Sequence, residues 1–324
     1  MNPHQIYRLG DPHLGRRFTK GVPLDRRGER EALVRADLNR HLSFDGYAAH
    51  ITMGDLFDAP QVDYATVLFA YRAYRTAAEL NPGTTYYILQ GNHDDSRDLD
   101  EVTAWDLFVE LVEGIPNITP VISPIVGPHF ALFPWDPIET AEAMVEKASW
   151  FIREQGCTTA YGHWDVDPRT ATHNLIPTKA LAAAGITEAY TGHVHLPSLF
   201  KRDGVQVEVV GSMQPYAQGE DGGQGHIRYA TLTLAELEAA GDLANTVVRL
   251  QLAPGEQFDG EPPACLSWNV ERVKDQAEEA PADISMEGFD TRAAARDALD
   301  AHDIIPEVRA QIDERLSEVF GRDG

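Results

Sequence analysis

The feature that most restricts this chain is a repeated pattern: a short apolar run that ends in a tight polar motif carrying Asp, Asn or His. The motifs are Asp11-Pro12-His13, Gly54-Asp55, Gly91-Asn92-His93-Asp94, Gly162-His163 and Gly192-His193-Val194-His195. Each run has the length of a strand, and each motif falls where that strand stops and a loop begins. Segments with helical spacing lie between the runs, and such alternation builds an α/β domain around a central sheet. In open α/β sheets the loops at strand ends form the ligand edge. Glycine ahead of Asp55, Asn92, His163 and His193 lets the backbone turn sharply and approach a ligand closely.

Spacing predicts strands over 6–10, 48–53 and 85–89, with helices over 27–42 (Leu33, Val34, Leu38, Leu42) and 64–80. Beyond 117 the pattern shifts to short strands at 118–122 and 130–133, then a helix at 139–154 and a strand at 158–161. Asp203-Gly204 between two alternating runs marks a hairpin within 199–210. Further strands are expected at 227–232 and 246–252. Near Ala253-Pro254-Gly255 the composition turns to Gly, Pro, Glu and Asp, which sets a soft boundary between a main domain, 1–253, and a small C-terminal region, 254–324. That region holds a strand-like piece at 265–273 and helical stretches at 291–301 and 306–320. The stripe Val308, Ile312, Leu316 and Phe320 either packs on its own domain or docks a partner.

No stretch approaches the run of about 20 apolar residues that a membrane span requires. The first ten residues lack the basic start and apolar centre of a secretory signal. Cys157 and Cys265 lie far apart without metal-type spacing, so both read as free thiols in a reducing compartment, the cytoplasm. A formal charge of −24, of which −11 falls after residue 250, opposes nucleic-acid binding, which depends on neutralising phosphates. Two bound divalent ions would return about four positive charges to the site itself.

Carboxylate, imidazole and amide oxygen together form a borderline donor set that suits Mn, Fe or Zn better than the all-oxygen shells of Ca or Mg. The groups are too many for one ion and enough for two. Two ions roughly 3.5–4 Å apart clamp a phosphate, activate a water and stabilise the leaving oxygen. In this order the motifs resemble the calcineurin-like metallophosphoesterase superfamily, over residues 5 to about 215. The resemblance implies an α/β fold: a four-layer sandwich of two mixed β-sheets flanked by helices, here with a small α+β extension at the C-terminus. It also implies that Asp11, His13 and His195 bind one ion, that Asp55 bridges, and that Asn92, His163 and His193 complete the second shell. His93 would bind no metal and would act as general acid toward the leaving group or as a phosphate contact, the first of which suits an imidazole titrating near neutrality. Asp58, three residues after Asp55, either pairs with His93, as in phosphatase members, or begins a turn before Ala59-Pro60. Pro12 between the first two ligands is unusual and fixes φ there.

The flanks are more specific. Asp11 to Phe18 (DPHLGRRF), Gly54 to Asp58 (GDLFD), Trp105-Asp106-Leu107-Phe108, and Gly211-Ser212-Met213 with Tyr216, Gly219, Glu220 and Asp221 resemble the SbcD-type DNA repair nucleases. That resemblance implies Mn2+-dependent hydrolysis of DNA phosphodiesters in repair, recombination or replication, with an SbcC-type coiled-coil ATPase as partner. A homodimer is compatible with it. The region after 253 is short, so any capping domain is reduced, as suits a phage-encoded or similarly streamlined version acting in the host cytoplasm. Arg16 and Arg17 are either DNA-phosphate contacts or an ordinary solvated pair. Two other readings stand beside this one. The acidity favours a stand-alone phosphodiesterase or phosphatase for small phosphoesters, whereas the complete ligand set argues against a non-catalytic scaffold.

Overall fold

The ligand-bearing strands run parallel, joined by helical crossovers, so their carboxyl ends gather at one edge of each sheet. The computed structural model describes residues 5–273 except 97, 99, 170, 172, 221 and 222, together with Arg309. In it β1 (Ile6–Leu9), β2 (Ala49–Thr52), β3 (Thr85–Leu89) and β4 (Ile118–Val121) form one parallel sheet in that order. The crossovers are α1 (Glu29–Leu42), α2 (Tyr64–Leu80) and α3 (Ala104–Val112). A second sheet, ordered β5-β6-β7-β8-β10-β9, comprises β5 (Ile125–Val126), β6 (Ala131–Phe133), β7 (Thr159–Gly162), β8 (Glu188–Thr191), β9 (Ser198–Arg202) and β10 (Val205–Val209). This sheet is mixed, with antiparallel pairing at β5–β6 and at the β9–β10 hairpin, which turns at Asp203-Gly204. Helices α4 (Ala141–Gln155) and α5 (Thr178–Ala184) link β6 to β7 and β7 to β8.

Alternation along the strands divides the core into three layers, which makes the sandwich. On β2, Ala49, Ile51 and Met53 face the second sheet and meet Leu132, Tyr161 and Val210. On β3, Tyr86 and Ile88 turn the other way, joining Leu38, Val67, Tyr74 and Phe108 beneath the helices. Ala131, Phe133 and Ala160 face Met144, Ile152 and Leu181 on the far side. The order is therefore helices, sheet, sheet, helices. The expected α/β sandwich forms, with two differences of detail. The first sheet is parallel throughout rather than mixed, since each of its links is a helix long enough for a crossover. A third, parallel sheet of β11 (Arg228–Leu232), β12 (Thr246–Leu252) and β13 (Ser267–Arg272) follows, with α6 (Leu234–Ala239) between its first two strands.

Helix ends follow local chemistry. Asp63 caps α2 by accepting from Thr66 N at 2.8 Å, and Thr103 with Asp106 forms a capping box on α3. Spacing alone does not predict α3, α5 or α6, which are short. Past 253 the backbone pairing continues through β13, and the first compact unit extends over Met1–Arg272, with Val273–Gly324 as a second. The helices expected at 291–301 and 306–320 lie outside the described residues. Among the described residues no helix is long and apolar enough to cross a membrane.

One buried group gives the fold a pH dependence. His50 on β2 lies between the rings of Tyr7 (4.9 Å) and Tyr86 (5.3 Å), and neither of its ring nitrogens has a hydrogen-bond partner. Burial lowers its pKa to about 3. The folded state therefore keeps it neutral, while the unfolded chain protonates it near pH 6.5. Stability is present above that pH and is lost as pH falls toward the folded pKa, by roughly 1.4 kcal/mol per pH unit for this group. The denaturation midpoint should fall between pH 6.5 and 4.5, and His50→Leu should make that slope shallower. Equal slopes for the two proteins in urea titrations would contradict this.

Candidate metal centre

Five strand ends supply the site. Asp11 and His13 follow β1, Asp55 follows β2, Asn92 and His93 follow β3, His163 follows β7, and His193 and His195 follow β8. Among the described residues three groups of donors form: one, His13 with Asp58 and His93, comes from the first sheet alone, and the other two are clusters that span both sheets. Ligand atoms of Asp11, His13 and His195 lie within 4.8 Å of one another, and so do those of Asp55, His163 and His193. Each cluster takes groups from both principal sheets. Asp55 joins them, its Oδ2 lying 3.6 Å from His13 Nε2 and 3.4 Å from His163 Nε2. Asn92 Oδ1 completes the second group, 3.0 Å from His163 Nε2 and 2.8 Å from His193 Nδ1.

The donor atoms fit a divalent cation. His13 Nε2 and His195 Nε2 face each other at 3.0 Å, and Asp11 Oδ1 beside them is buried without a hydrogen-bond partner. A buried carboxylate oxygen with no donor is costly, and a shared cation removes that cost. His163 Nδ1 donates to the Met53 carbonyl at 2.9 Å, which turns Nε2 toward Asp55 and Asn92. Electrostatics point the same way. Burial raises the Asp55 pKa, yet His163, His13 and His93 outweigh it and hold the carboxyl well below the usual range. Burial opposes charge on His163, but Asp55 overrides it and lifts the pKa to about 9. His193 is lowered to about 4 by burial and then by His163. Asp11 is raised, chiefly by burial.

The loops carrying these groups are strained and cross-tied. His13, Asp55 and His193 adopt positive φ of 45°, 47° and 71°, unfavourable for residues with a side chain by roughly 1–2 kcal/mol each. Among the described residues only Asp203, in the hairpin turn, joins them outside glycine. Asp94 is fully buried and accepts from Leu56 N (3.1 Å), Phe57 N (2.8 Å) and Gly91 N (2.9 Å), binding the Asp55 loop to the Asn92 loop. Its own pKa is pushed upward by burial and by Asp55, against those three donors. The glycine before Asn92 is obligatory, because a side-chain carbon at Gly91 would overlap the backbone nitrogen and carboxylate of Asp55.

His93 and Asp58 meet through the main chain. The backbone N–H of His93 donates to Asp55 Oδ1 at 2.9 Å, and its Nδ1 donates to Asp58 at 2.7 Å, but to the main-chain carbonyl and not the carboxylate. The turn through 55–58, held by Asp58 N donating to Leu14 O, aims that carbonyl at the ring. The Asp58 carboxylate lies 3.3 Å from His13 Nδ1 and 3.4 Å from Arg16 Nη1, with an oxygen within 4.8 Å of a His93 ring nitrogen. Arg16 also lies over the Tyr216 ring at 5.1 Å, while Arg17 pairs with Asp63 at 2.7 Å on the α2 cap. Both arginines thus already have carboxylate partners. The bracing role of Asp94 is not apparent from its motif, and nothing in the spacing reveals that Glu220 approaches His195 Nδ1 at 3.3 Å.

No family model and no curated protein matches the chain. Among solved structures 71 chains match. One is 12% identical, covers 64% of this chain and 90% of its own, and has a TM-score of 0.39. Another, phosphopantetheinyl hydrolase from Mycobacterium tuberculosis, is also 12% identical, covers 65% of this chain and 93% of its own, and has a TM-score of 0.34. Likenesses this distant decide neither family nor activity, which rest on the residues themselves.

Asp94→Asn would place an amide N–H2 against backbone donors. We expect a stability loss of about 1–3 kcal/mol in denaturant titrations, from donors left unpaired. A change below 0.5 kcal/mol would show that the carboxylate does not brace the loops.

Proposed function

We propose that this chain is a metal-dependent phosphoesterase that holds two divalent cations, Mn2+ as the working ion, and that it hydrolyses DNA phosphodiesters as an SbcD-like nuclease. The observation that carries this reading is the pair of donor clusters joined through Asp55, with the buried, donorless Asp11 Oδ1 in one of them. In this assignment Asp11, His13 and His195 hold one ion, Asn92, His163 and His193 the other, and Asp55 both. When bound, the cations supply Lewis acidity and neutralise charge developing on the phosphate. His93 is fixed through its backbone N–H on Asp55 and its Nδ1–H on the Asp58 carbonyl, which leaves Nε2 to pass a proton to the departing oxygen. Arg16, on the rim beside Asp58, is the candidate contact for a phosphate, with Arg17 next to it. The same reading assigns an SbcC-type coiled-coil ATPase as partner, the C-terminal region as its docking segment, and the cytoplasm as the place of action.

A second reading, a stand-alone phosphodiesterase or phosphatase for small phosphoesters, is favoured by the charge of −24 and by the carboxylates already paired with Arg16 and Arg17. Hydrolysis of end-labelled duplex DNA, nucleotides and bis-p-nitrophenyl phosphate, each with Mn2+, separates the two. Turnover of the small esters with none of DNA would leave only the second. His93→Ala should retain its cations and lose at least 10²-fold in kcat. Full activity in that variant would remove His93 from the chemistry. Asp55→Ala should bind neither ion tightly, and metal analysis that still finds two per chain would sink the bridging role.

A further inference from the structure

We infer that Glu220 is a positioning residue for the cation site formed by Asp11, His13 and His195, an inference that rests on the metal reading above. Glu220 lies 25 residues beyond His195 in the chain, yet its Oε2 comes within 3.3 Å of His195 Nδ1. The same oxygen accepts from Tyr216 N at 2.7 Å and Ala217 N at 3.2 Å, so a tight turn holds the carboxylate in place. That turn is anchored on the other members of the site. The Tyr216 ring packs edge-on to His13 at 4.9 Å and lies 5.4 Å from His195, and its hydroxyl donates to the Pro12 carbonyl. Just upstream, Met213 N donates to the Asp11 carbonyl at 3.1 Å.

An imidazole has two nitrogens, and the partner of one decides what the other offers. With Nδ1–H given to Glu220, His195 keeps its lone pair on Nε2, the atom that faces His13 Nε2 at 3.0 Å. A carboxylate behind a ligating histidine also makes the ring a stronger donor and fixes its plane. His13 Nδ1 lies 3.3 Å from Asp58 Oδ1 but makes no hydrogen bond. The ring of His163 in the other cluster is instead held by a neutral backbone carbonyl. Loss of Glu220 should therefore be felt at the Asp11 site and not at the Asn92 site.

A purely structural role for Glu220 would be to close the 216–220 turn, and the choice of variants separates the two roles. Glu220→Gln keeps an oxygen for the Tyr216 N–H and for His195 Nδ1–H but removes the charge, whereas Glu220→Ala removes both. The full-length chain, stripped with a chelator, is titrated with Mn2+ by calorimetry and with Co2+ by visible absorption. The parent should bind two ions. Glu220→Ala should weaken one of them by about 10–100-fold and leave the other unchanged, with Glu220→Gln in between. The Co2+ band of the weakened site should shift, and adding Asn92→Ala should leave no tight site. Unchanged affinities in Glu220→Ala, or equal weakening of both ions together with a lower melting temperature of the stripped protein, would overturn the inference. A parent that binds neither ion would overturn the metal reading itself, a distinct result.

Discussion

Three backbone N–H groups converge on the buried carboxylate of Asp94, and the rest of the centre depends on that convergence. It ties the loop after β2 to the loop after β3. The loop after β1 is tied in turn, because His13 N and Leu14 N donate to the carbonyls of Asp55 and Leu56, each at 2.9 Å. Three separate crossings of the sheet thereby become one rigid floor. Such a floor keeps His13 and Asp55 in left-handed backbone conformations, which their side chains oppose, and His193, also left-handed, is tied to it by donating its N–H to Asp11 Oδ2 at 2.8 Å. The strain places imidazole and carboxylate atoms where an ordinary strand end would not deliver them.

The electrostatics of the floor are incomplete without a cation. Asp11 and Asp55 are both buried, and one oxygen of Asp11 has no donor. Burying carboxylates and imidazoles this close is unfavourable unless charge is balanced locally. His163 supplies part of that balance by holding a proton against Asp55. A divalent ion in the His163 cluster would displace that proton, and one in the Asp11 cluster would satisfy the orphaned oxygen, so metal affinity and pH are coupled here. The overall acidity of the chain is a separate matter, since −11 of the −24 falls after residue 250 in the sequence.

How much of this was legible in the sequence depends on how local each interaction is. Glycine followed by His or Asp at the end of an apolar run marks a strand terminus with a donor group, and for that reason the converging residues could be named beforehand. The alternation of strands and helices was equally legible, but the expected mixed pairing missed that the first sheet is parallel throughout. What stayed hidden depends on a turn rather than a residue type. Asp58 accepts from His93 through its carbonyl, which every residue carries, so residue type alone does not disclose that contact. Glu220 reaches His195 only because the 216–220 segment folds back, and a separation of 25 positions conceals that. The short helices α3, α5 and α6 have too few turns to show a period, and they form because flanking strands and caps hold them.

Each donor cluster draws on both principal sheets. Asp11 and His13 belong to the first sheet and His195 to the second; Asp55 belongs to the first, with His163 and His193 from the second. The layer between those sheets is apolar, and apolar layers resist separation but only weakly resist sliding. An ion seated in either cluster would act as a rivet through the sandwich at its open edge, and two ions would also stop rotation about a single pin. Amide exchange in β2 and β8, far along the strands from any ligand, would then slow together when the ions bind. The sheets would open as one body, and the chemistry at their edge would share its fate with the packing behind it.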